Sequence, residues 1–319
     1  MKAPSKFVLI TGASSGIGRA LALECARRGW HVALVARRAS LLEGLAEECR
    51  ALGVDAVAAP ADVTDPPAFR QAAETVVQRF GRIDAWVNGA GVYAVGRFEE
   101  TPDEAFRRVI DVDLLGVVTG SRLALEVFRR QGRGVLINVS SMVGGLGSRY
   151  VSAYAAAKWA VRGFSDSLRE ELTDDSIEVC VVRPAAIDTP IFRRAGNYSG
   201  RAIEALSPTY PVEDAARTIA NLVEKPRREV IIGGSGKLLS GAHALAPNVV
   251  DRVFSARMPS NHFASGKADR TDGNLFTSDE QWAQSSGDWP HTSPRRARVI
   301  AGVAAAATLA AAAAVLTRA

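Results

Sequence analysis

Phe7-Val8-Leu9-Ile10-Thr11-Gly12-Ala13-Ser14-Ser15-Gly16-Ile17-Gly18 is an apolar run that breaks into glycines and then enters a helix-period stretch, Gly16–Arg28. A short apolar run closed by glycine reads as a buried strand feeding a helix. Gly12, Gly16 and Gly18 permit a tight turn and the close approach of a ligand. The N-terminus of the following helix offers free N–H groups and the positive end of its dipole to a pyrophosphate. Alone, a turn of the form T-G-x-x-x-G-x-G also serves merely to join strand to helix. As the first turn of a βαβ unit it points to a dinucleotide held by Gly12, Ser14, Ser15, Gly16, Ile17 and Gly18.

The same alternation continues outward from that turn. Further strands are expected at His31–Ala36, Asp55–Ala59, Ala85–Asn88, Gly134–Val139, Glu178–Arg183 and Glu229–Gly233. Helices are expected between them at Leu41–Leu52, Ala68–Phe80, Asp103–Arg130, Ser152–Leu172 and Val212–Glu224. Apolar strands separated by helices define an α/β protein: a doubly wound parallel sheet of about seven strands with helices on both faces. Residues 1–236 form this domain. Residues 237–258 read as a helical extension interrupted by Pro247. Residues 259–296, rich in Ser, Asp, Gly, Pro and Asn, read as a disordered linker.

The net charge of +5 rests on 39 basic residues, 33 of them arginine, scattered singly or in pairs rather than massed in one tract. That pattern describes a solvated surface and excludes nucleic acid as a partner. Cys25, Cys49 and Cys180 have no metal spacing, the four histidines are isolated, and no metal site is expected.

The second strand refines the cofactor. In this architecture an acidic residue at its end accepts the 2′-hydroxyl of NAD. Here the strand ends in Val35-Ala36-Arg37-Arg38, with no carboxylate to repel a 2′-phosphate and guanidinium groups able to pair with one. NADP(H) is the expected cofactor; two surface arginines in an arginine-rich chain are the alternative. Asp62, after the third strand, and Asn88 and Ala90, after the fourth, lie where open α/β sheets bind ligands.

Ser141 follows the fifth strand, and thirteen residues later comes Tyr154-Ala155-Ala156-Ala157-Lys158. On a helix, positions i and i+4 share a face, so the phenol and the ammonium are neighbours. The cation, helped by a positively charged nicotinamide, favours phenolate, which makes Tyr154 a general acid for a carbonyl oxygen, or a base in the reverse direction. Ser141 is placed to hydrogen-bond the same oxygen. Such pairs also arise by chance on amphipathic helices. Against that, Lys158 is the only lysine between Lys6 and Lys225, in a stretch where arginine otherwise serves.

TGASSGIG, NGAG, Ser141 and YAAAK, in this order and spacing, resemble the short-chain dehydrogenase/reductase family over roughly residues 5–235. The resemblance implies a Rossmann-type domain and hydride transfer between NADP(H) and a carbonyl or alcohol. It further implies that Lys158 holds the nicotinamide ribose, that Asp62 meets the adenine, and that Thr189 contacts the nicotinamide carboxamide. A homodimer or homotetramer paired through the helices around 103–130 and 152–172 is also implied. Three positions depart from the family pattern: Gly89 replaces a second Asn, Ala185 replaces a Gly, and Asp113 stands at the catalytic asparagine. An ionised Asp113 accepts hydrogen bonds without donating, and beside Lys158 it would hold the ammonium charged, so a slower proton relay is expected. A non-catalytic redox sensor or membrane-tethered scaffold is the alternative function.

Substrate contacts are expected from Val92–Phe98, Met142–Tyr150 and Ile191–Tyr210. In the last of these, Phe192, Tyr198, Ile203 and Leu206 could form a lid over a lipophilic substrate. Arg193, Arg194 and Arg201 are the alternative there, facing an anionic group or simply solvent. Val299–Leu316 is a run of eighteen uncharged residues, about 27 Å long as a helix, with arginines on both sides. It reads as a membrane anchor that leaves the catalytic domain cytoplasmic. Because it is mostly alanine, a surface-lying or protein-packed helix is the alternative.

Overall fold

The computed structural model describes residues 5–278 and 280–291. The chain runs β1 (Phe7–Thr11), α1 (Gly16–Arg27), β2 (His31–Val35), α2 (Ala39–Ala51), β3 (Ala56–Ala58), α3 (Pro66–Phe80) and β4 (Ala85–Asn88). It continues through β5 (Ala94–Val95), α4 (Asp103–Ile110), α5 (Gly116–Gln131), β6 (Gly134–Val139), α6 (Ser152–Glu171) and β7 (Ile177–Pro184). Next come β8 (Gly196–Asn197), β9 (Arg201–Ile203), α7 (Val212–Glu224) and β10 (Glu229–Ile232). The last elements among the described residues are α8 (Gly234–Leu245), α9 (Pro247–His262) and β11 (Phe263–Lys267).

Seven strands form one parallel sheet in the order β10-β7-β6-β4-β1-β2-β3. The order reverses at β1, so the carboxyl ends of β1 and β4 diverge there and open the crevice in which such sheets bind ligands. Successive residues of each strand face opposite sides, which yields two cores from one sheet. Val8, Ile10, Val32 and Leu34 pack under α1, α2 and α7. Leu9, Ala33, Trp86 and Leu136 pack under α3, α5 and α6. The strands are apolar on both faces because both faces are covered.

The stretch expected as one helix over Asp103–Arg130 is divided. Between α4 and α5 lies a single π-turn, Asp111–Leu115. A π-turn inserts an extra residue and re-aims the side chains around it. Here the re-aimed side chain is Asp113, which is fully buried. Gly116 follows because a Cβ there would sit 2.6 Å from the Val63 side chain.

Pro247 ends the expected C-terminal helix only briefly: α8 stops at Leu245 and α9 starts on the proline itself, where its missing N–H costs nothing. The larger difference concerns 259–296. Instead of a disordered linker, its described part packs against the domain. β11 pairs antiparallel with β9, and Thr271 bridges Asn197. Residues 272–278 and 280–291 then cross the sheet's ligand-binding edge as a strap. The cause is hydrogen bonding that composition does not reveal. Arg37 donates to the Asn274 carbonyl at 2.8 Å, Arg38 to the Gln281 carbonyl at 3.1 Å, and Arg193 to the Gly287 carbonyl at 2.6 Å. Arg193 also lies between the rings of Trp282 and Trp289, at 4.9 and 4.0 Å from their centroids. The expected anchor, Val299–Leu316, lies outside the described residues. Among the described residues no helix is long and apolar enough to cross a membrane.

Candidate active site

The glycine-rich turn is built by steric necessity. Gly12 and Gly16 adopt left-handed backbone, with φ of +73° and +56°. A Cβ on Gly12 would lie 2.7 Å from the Gly89 carbonyl, and one on Gly18 would lie 2.4 Å from the Gly12 carbonyl. Thr11, which the sequence reading passed over, ties this turn to the end of β4: its hydroxyl accepts from Gly89 N–H at 3.0 Å and Ala90 N–H at 3.1 Å. Gly12, Ser14, Ser15, Gly16, Ile17, Gly18 and Ala90 all border one cavity of about 390 Å³.

Arg37 and Arg38 part company. Arg38 is buried at the start of α2 and donates to both Ser14 Oγ (2.9 and 3.1 Å) and Ser15 Oγ (2.9 Å), forming a cationic corner beside the turn. Arg37 reaches the strap carbonyls. Gly16 N–H, at the helix start, donates to the Gln284 carbonyl at 3.1 Å, so the strap runs directly over the turn.

Asp62 is bound rather than free. It accepts from Thr64 N–H and hydroxyl at 2.9 and 2.8 Å and from Arg108 at 2.8 Å. Burial works against its charge, but these donors hold its carboxyl below the ordinary value. Asn88, expected at the cofactor, has its side chain engaged within the fold. Its amide donates to Asn138 at 2.9 Å and Ser121 at 3.2 Å, while its oxygen accepts from the Trp86 indole at 2.9 Å. The in-register pairing of Asn88 with Asn138 across β4 and β6 brings the two amides together. Asn88 thus fastens sheet to helix.

Ser141, Tyr154, Lys158 and Asp113 do converge. The YAAAK spacing falls on α6, as the helical period requires, and Lys158 Nζ lies 5.4 Å from the Tyr154 ring centroid. Ser141 sits in extended backbone just after β6. Asp113 Oδ1 accepts from Val92 N–H at 2.8 Å, and Oδ2 stands 3.0 Å from Lys158 Nζ. Gly91 leaves room for this pair, since a Cβ there would lie 3.3 Å from Asp113 Oδ2 and 3.6 Å from Lys158 Nζ. Burial opposes the Lys158 charge, but the Asp113 carboxylate prevails and raises its pKa. Burial likewise raises Asp113.

The lowered Tyr154 pKa expected from Lys158 together with a positively charged nicotinamide is not present in the protein alone, where the pKa is raised. Burial raises it and outweighs the pull of Lys158 and of the Ser141 hydrogen bond, while the Asp113 charge adds to the rise. In the protein alone the phenol therefore keeps its proton, and a further positive charge in the cleft would favour the phenolate.

Thr189 faces Gly16 across the cavity, with its side chain 3.4 Å from where a Gly16 Cβ would be. Its neighbour Asp188 anchors the strap. One carboxylate oxygen accepts from Gly287 and Trp289 N–H at 2.9 and 3.0 Å, and the other from Ser286 at 2.6 Å and His291 at 2.8 Å. Those donors overcome burial and hold Asp188 below its ordinary value. The Trp289 indole donates to the Thr189 carbonyl at 3.1 Å.

Beyond Tyr154 the cavity becomes apolar. Phe192 and Leu206 line it as expected, joined by Met142, Leu239, Val253 and Phe254. The last three come from α8 and α9, which sequence reading left without a role. Tyr198 and Ile203 are placed elsewhere. Tyr198 bonds Asp272 at 2.8 Å, and Ile203 pairs with Phe263 in the β9–β11 ladder. Arg194 borders the cavity, whereas Arg201 lies over the Phe263 ring.

The residues present fit a dinucleotide. A glycine turn closed to any side chain, a cationic corner, and a cleft running from β2 to Tyr154 are the features of a dinucleotide site. The sequence model of the family described as short chain dehydrogenase matches residues 6–198, and the chain belongs to that family. It is 35% identical over 261 residues to an uncharacterized oxidoreductase, YxnA, of Bacillus subtilis, covering 81% of this chain and 73% of that one. It is 34% identical over 260 residues to 11-beta-hydroxysteroid dehydrogenase A of Sesamum indicum, covering 78% of this chain and 74% of that one. Among solved structures, an alcohol dehydrogenase from Thermococcus sibiricus complexed with 5-hydroxy-NADP is 30% identical with a TM-score of 0.64, covering 72% of this chain and 96% of that one. The chain is thus an oxidoreductase of a family that works with nicotinamide dinucleotides.

Proposed function

We propose that the chain transfers a hydride between NADP(H) and the carbonyl or secondary alcohol of a lipophilic substrate, with Tyr154 as the acid/base. One observation carries the reading: Ser141, Tyr154 and Lys158 meet where the glycine-lined cleft opens into an apolar chamber. The bound nicotinamide supplies the hydride in reduction and accepts it in oxidation. In reduction the chain's residues manage the oxygen. Ser141 donates a hydrogen bond to it, and Tyr154 passes it a proton as charge develops. Lys158 stabilises the resulting phenolate, and a proton from solvent restores the phenol.

Arg38, poised on Ser14 and Ser15, supports a 2′-phosphate, since no carboxylate stands at the end of β2. Lys158 is assigned the nicotinamide ribose, Asp62 the adenine end and Thr189 the carboxamide. Asp113 is read as setting the charge on Lys158. The apolar wall from α8 and α9 supports a lipophilic substrate, and the steroid dehydrogenase named above agrees in kind. Half-exposed Leu115 and Trp159, flanking α5 and on α6, support pairing into a homodimer or homotetramer. A sensor or scaffold would not need the three convergent groups.

NADPH oxidation over a panel of ketones and aldehydes of graded size and polarity tests this reading. Turnover is expected to rise with apolar bulk. Tight NADPH binding with no turnover on any carbonyl would favour the sensor.

A further inference from the structure

Tyr93 and His262 form a buried couple that the hydride-transfer reading does not use. The Tyr93 hydroxyl lies 3.1 Å from His262 Nε2, and His262 Nδ1 lies 2.7 Å from the Glu204 carbonyl oxygen. A carbonyl oxygen only accepts, so Nδ1 carries the hydrogen and the bare Nε2 accepts from Tyr93. His262 is fully buried, and burial drops its pKa to about 4, which keeps this neutral tautomer in place at ordinary pH.

Fixed in this way, the Tyr93 ring stands edge-on to the Tyr154 ring, with centroids 4.8 Å apart and planes at 81°. Phe192 closes the other side at 5.5 Å and 84°. Tyr93 follows the β4 loop, whereas His262 ends α9, beyond the residues that the family model matches. A buried, fully partnered histidine thus connects the C-terminal extension to the tyrosine at the centre of the cleft.

We propose that Tyr93 is a positioning residue for Tyr154, and that His262 acts through it by holding the Tyr93 hydroxyl. The Tyr93 ring keeps water from the Tyr154 phenol and fixes its orientation toward the substrate oxygen. The kinetic part rests on the reading of Tyr154 as the acid/base; the placement of the ring does not. The groups facing the Tyr154 phenol are Lys158, Asp113 and Ser141, together with Tyr93 itself.

Two histidine replacements separate this role from a purely structural one. His262→Asn retains a donor where Nδ1 reaches Glu204 but leaves nothing for Tyr93. His262→Gln restores an acceptor near the Nε2 position. The readout is the ultraviolet phenolate titration of the cofactor-free protein. In each background Tyr154 is isolated by subtracting the same protein carrying Tyr154→Phe. Burial is the largest cause of Tyr154's raised pKa, so admitting water lowers it. In Tyr93→Phe and His262→Asn, the Tyr154 midpoint is expected to fall toward the ordinary ~10 of a tyrosine, with His262→Gln restoring most of the shift. In turnover, kcat should fall about ten- to a hundredfold in the first two while KM for NADPH holds.

Equal behaviour of His262→Asn and His262→Gln would overturn the proposal, because His262 would then act only by docking α9. An unmoved Tyr154 midpoint in Tyr93→Phe would overturn it as well. If Tyr154→Phe turns over normally, the acid/base reading fails, but the titration still decides the coupling of the two rings.

Discussion

Asp113 and Lys158 form a buried ion pair, Oδ2 to Nζ at 3.0 Å, with the carboxylate delivered by a π-turn and the ammonium by α6. The carboxylate raises the pKa of Lys158 and, less directly, that of Tyr154. Asp113→Asn removes that charge: burial then lowers Lys158, and while Lys158 stays protonated its pull on the phenol is unopposed and Tyr154's pKa falls. Reduction needs the protonated phenol and is lost as pH rises through that value, so the basic limb of kcat moves to lower pH. An unchanged pH profile would show that Asp113 is not coupled to the reacting proton. Asp113→Ala leaves a buried ammonium without its counter-charge, which should cost about 3–5 kcal/mol of stability in chemical denaturation.

Arg38 donates to Ser14 and Ser15 from a buried position, with nothing acidic at the end of β2. Charge-assisted bonds of this kind contribute about 1.5–3 kcal/mol each. Arg38→Ala should weaken NADPH by about ten- to a hundredfold and leave NADH nearly unchanged. Fluorescence titration with both nucleotides checks this; equal losses would remove the 2′-phosphate from the account.

The strap depends on Asp188, whose two oxygens take four donors from residues 286–291. Its folded-state pKa lies below the unfolded value, so its contribution is present above about 3.9 and is lost as pH falls through the folded value. Asp188→Asn can accept with only one oxygen. It should expose residues 272–291 to limited proteolysis at neutral pH, where the wild-type strap resists. Resistance equal to wild type would mean that the arginine contacts suffice.

His262 makes a separate demand on stability. An unfolded histidine titrates near ~6.5, whereas burial holds His262 to about 4. Its contribution is therefore complete above about 6.5 and lost as pH falls toward the lower value, on the order of 3 kcal/mol in all. Denaturation curves of wild type and His262→Gln should converge or cross through this window. A constant gap would show that His262 is not held neutral.

The legibility of the chain follows the range of the interactions involved. Strand and helix order, the glycine turn and the Tyr154–Lys158 face were readable because each is set by local periodicity or by spacing along one helix. The π-turn at Asp113 was not, because it results from packing of Gly116 on Val63 and from the pull of Val92 and Lys158. Asn88 looked like a ligand because it ends a strand at the sheet's binding edge. Only its register opposite Asn138 shows that its amide is already engaged. Residues 259–296 read as linker because the arginines that hold their described part lie far away in sequence, with Arg37 more than 230 residues before Asn274. His262 carried no sequence signal. Its partners, Tyr93 and Glu204, come from loops brought together only by the fold.

The most direct test compares wild type with Tyr154→Phe on one lipophilic ketone, following NADPH absorbance and measuring NADPH affinity in the same samples. The variant keeps the ring and its packing but has no proton to give. Its kcat should fall by about a hundred- to ten-thousandfold with NADPH affinity unchanged. Turnover within a few-fold of wild type would contradict Tyr154 as the acid/base and with it the proposed chemistry.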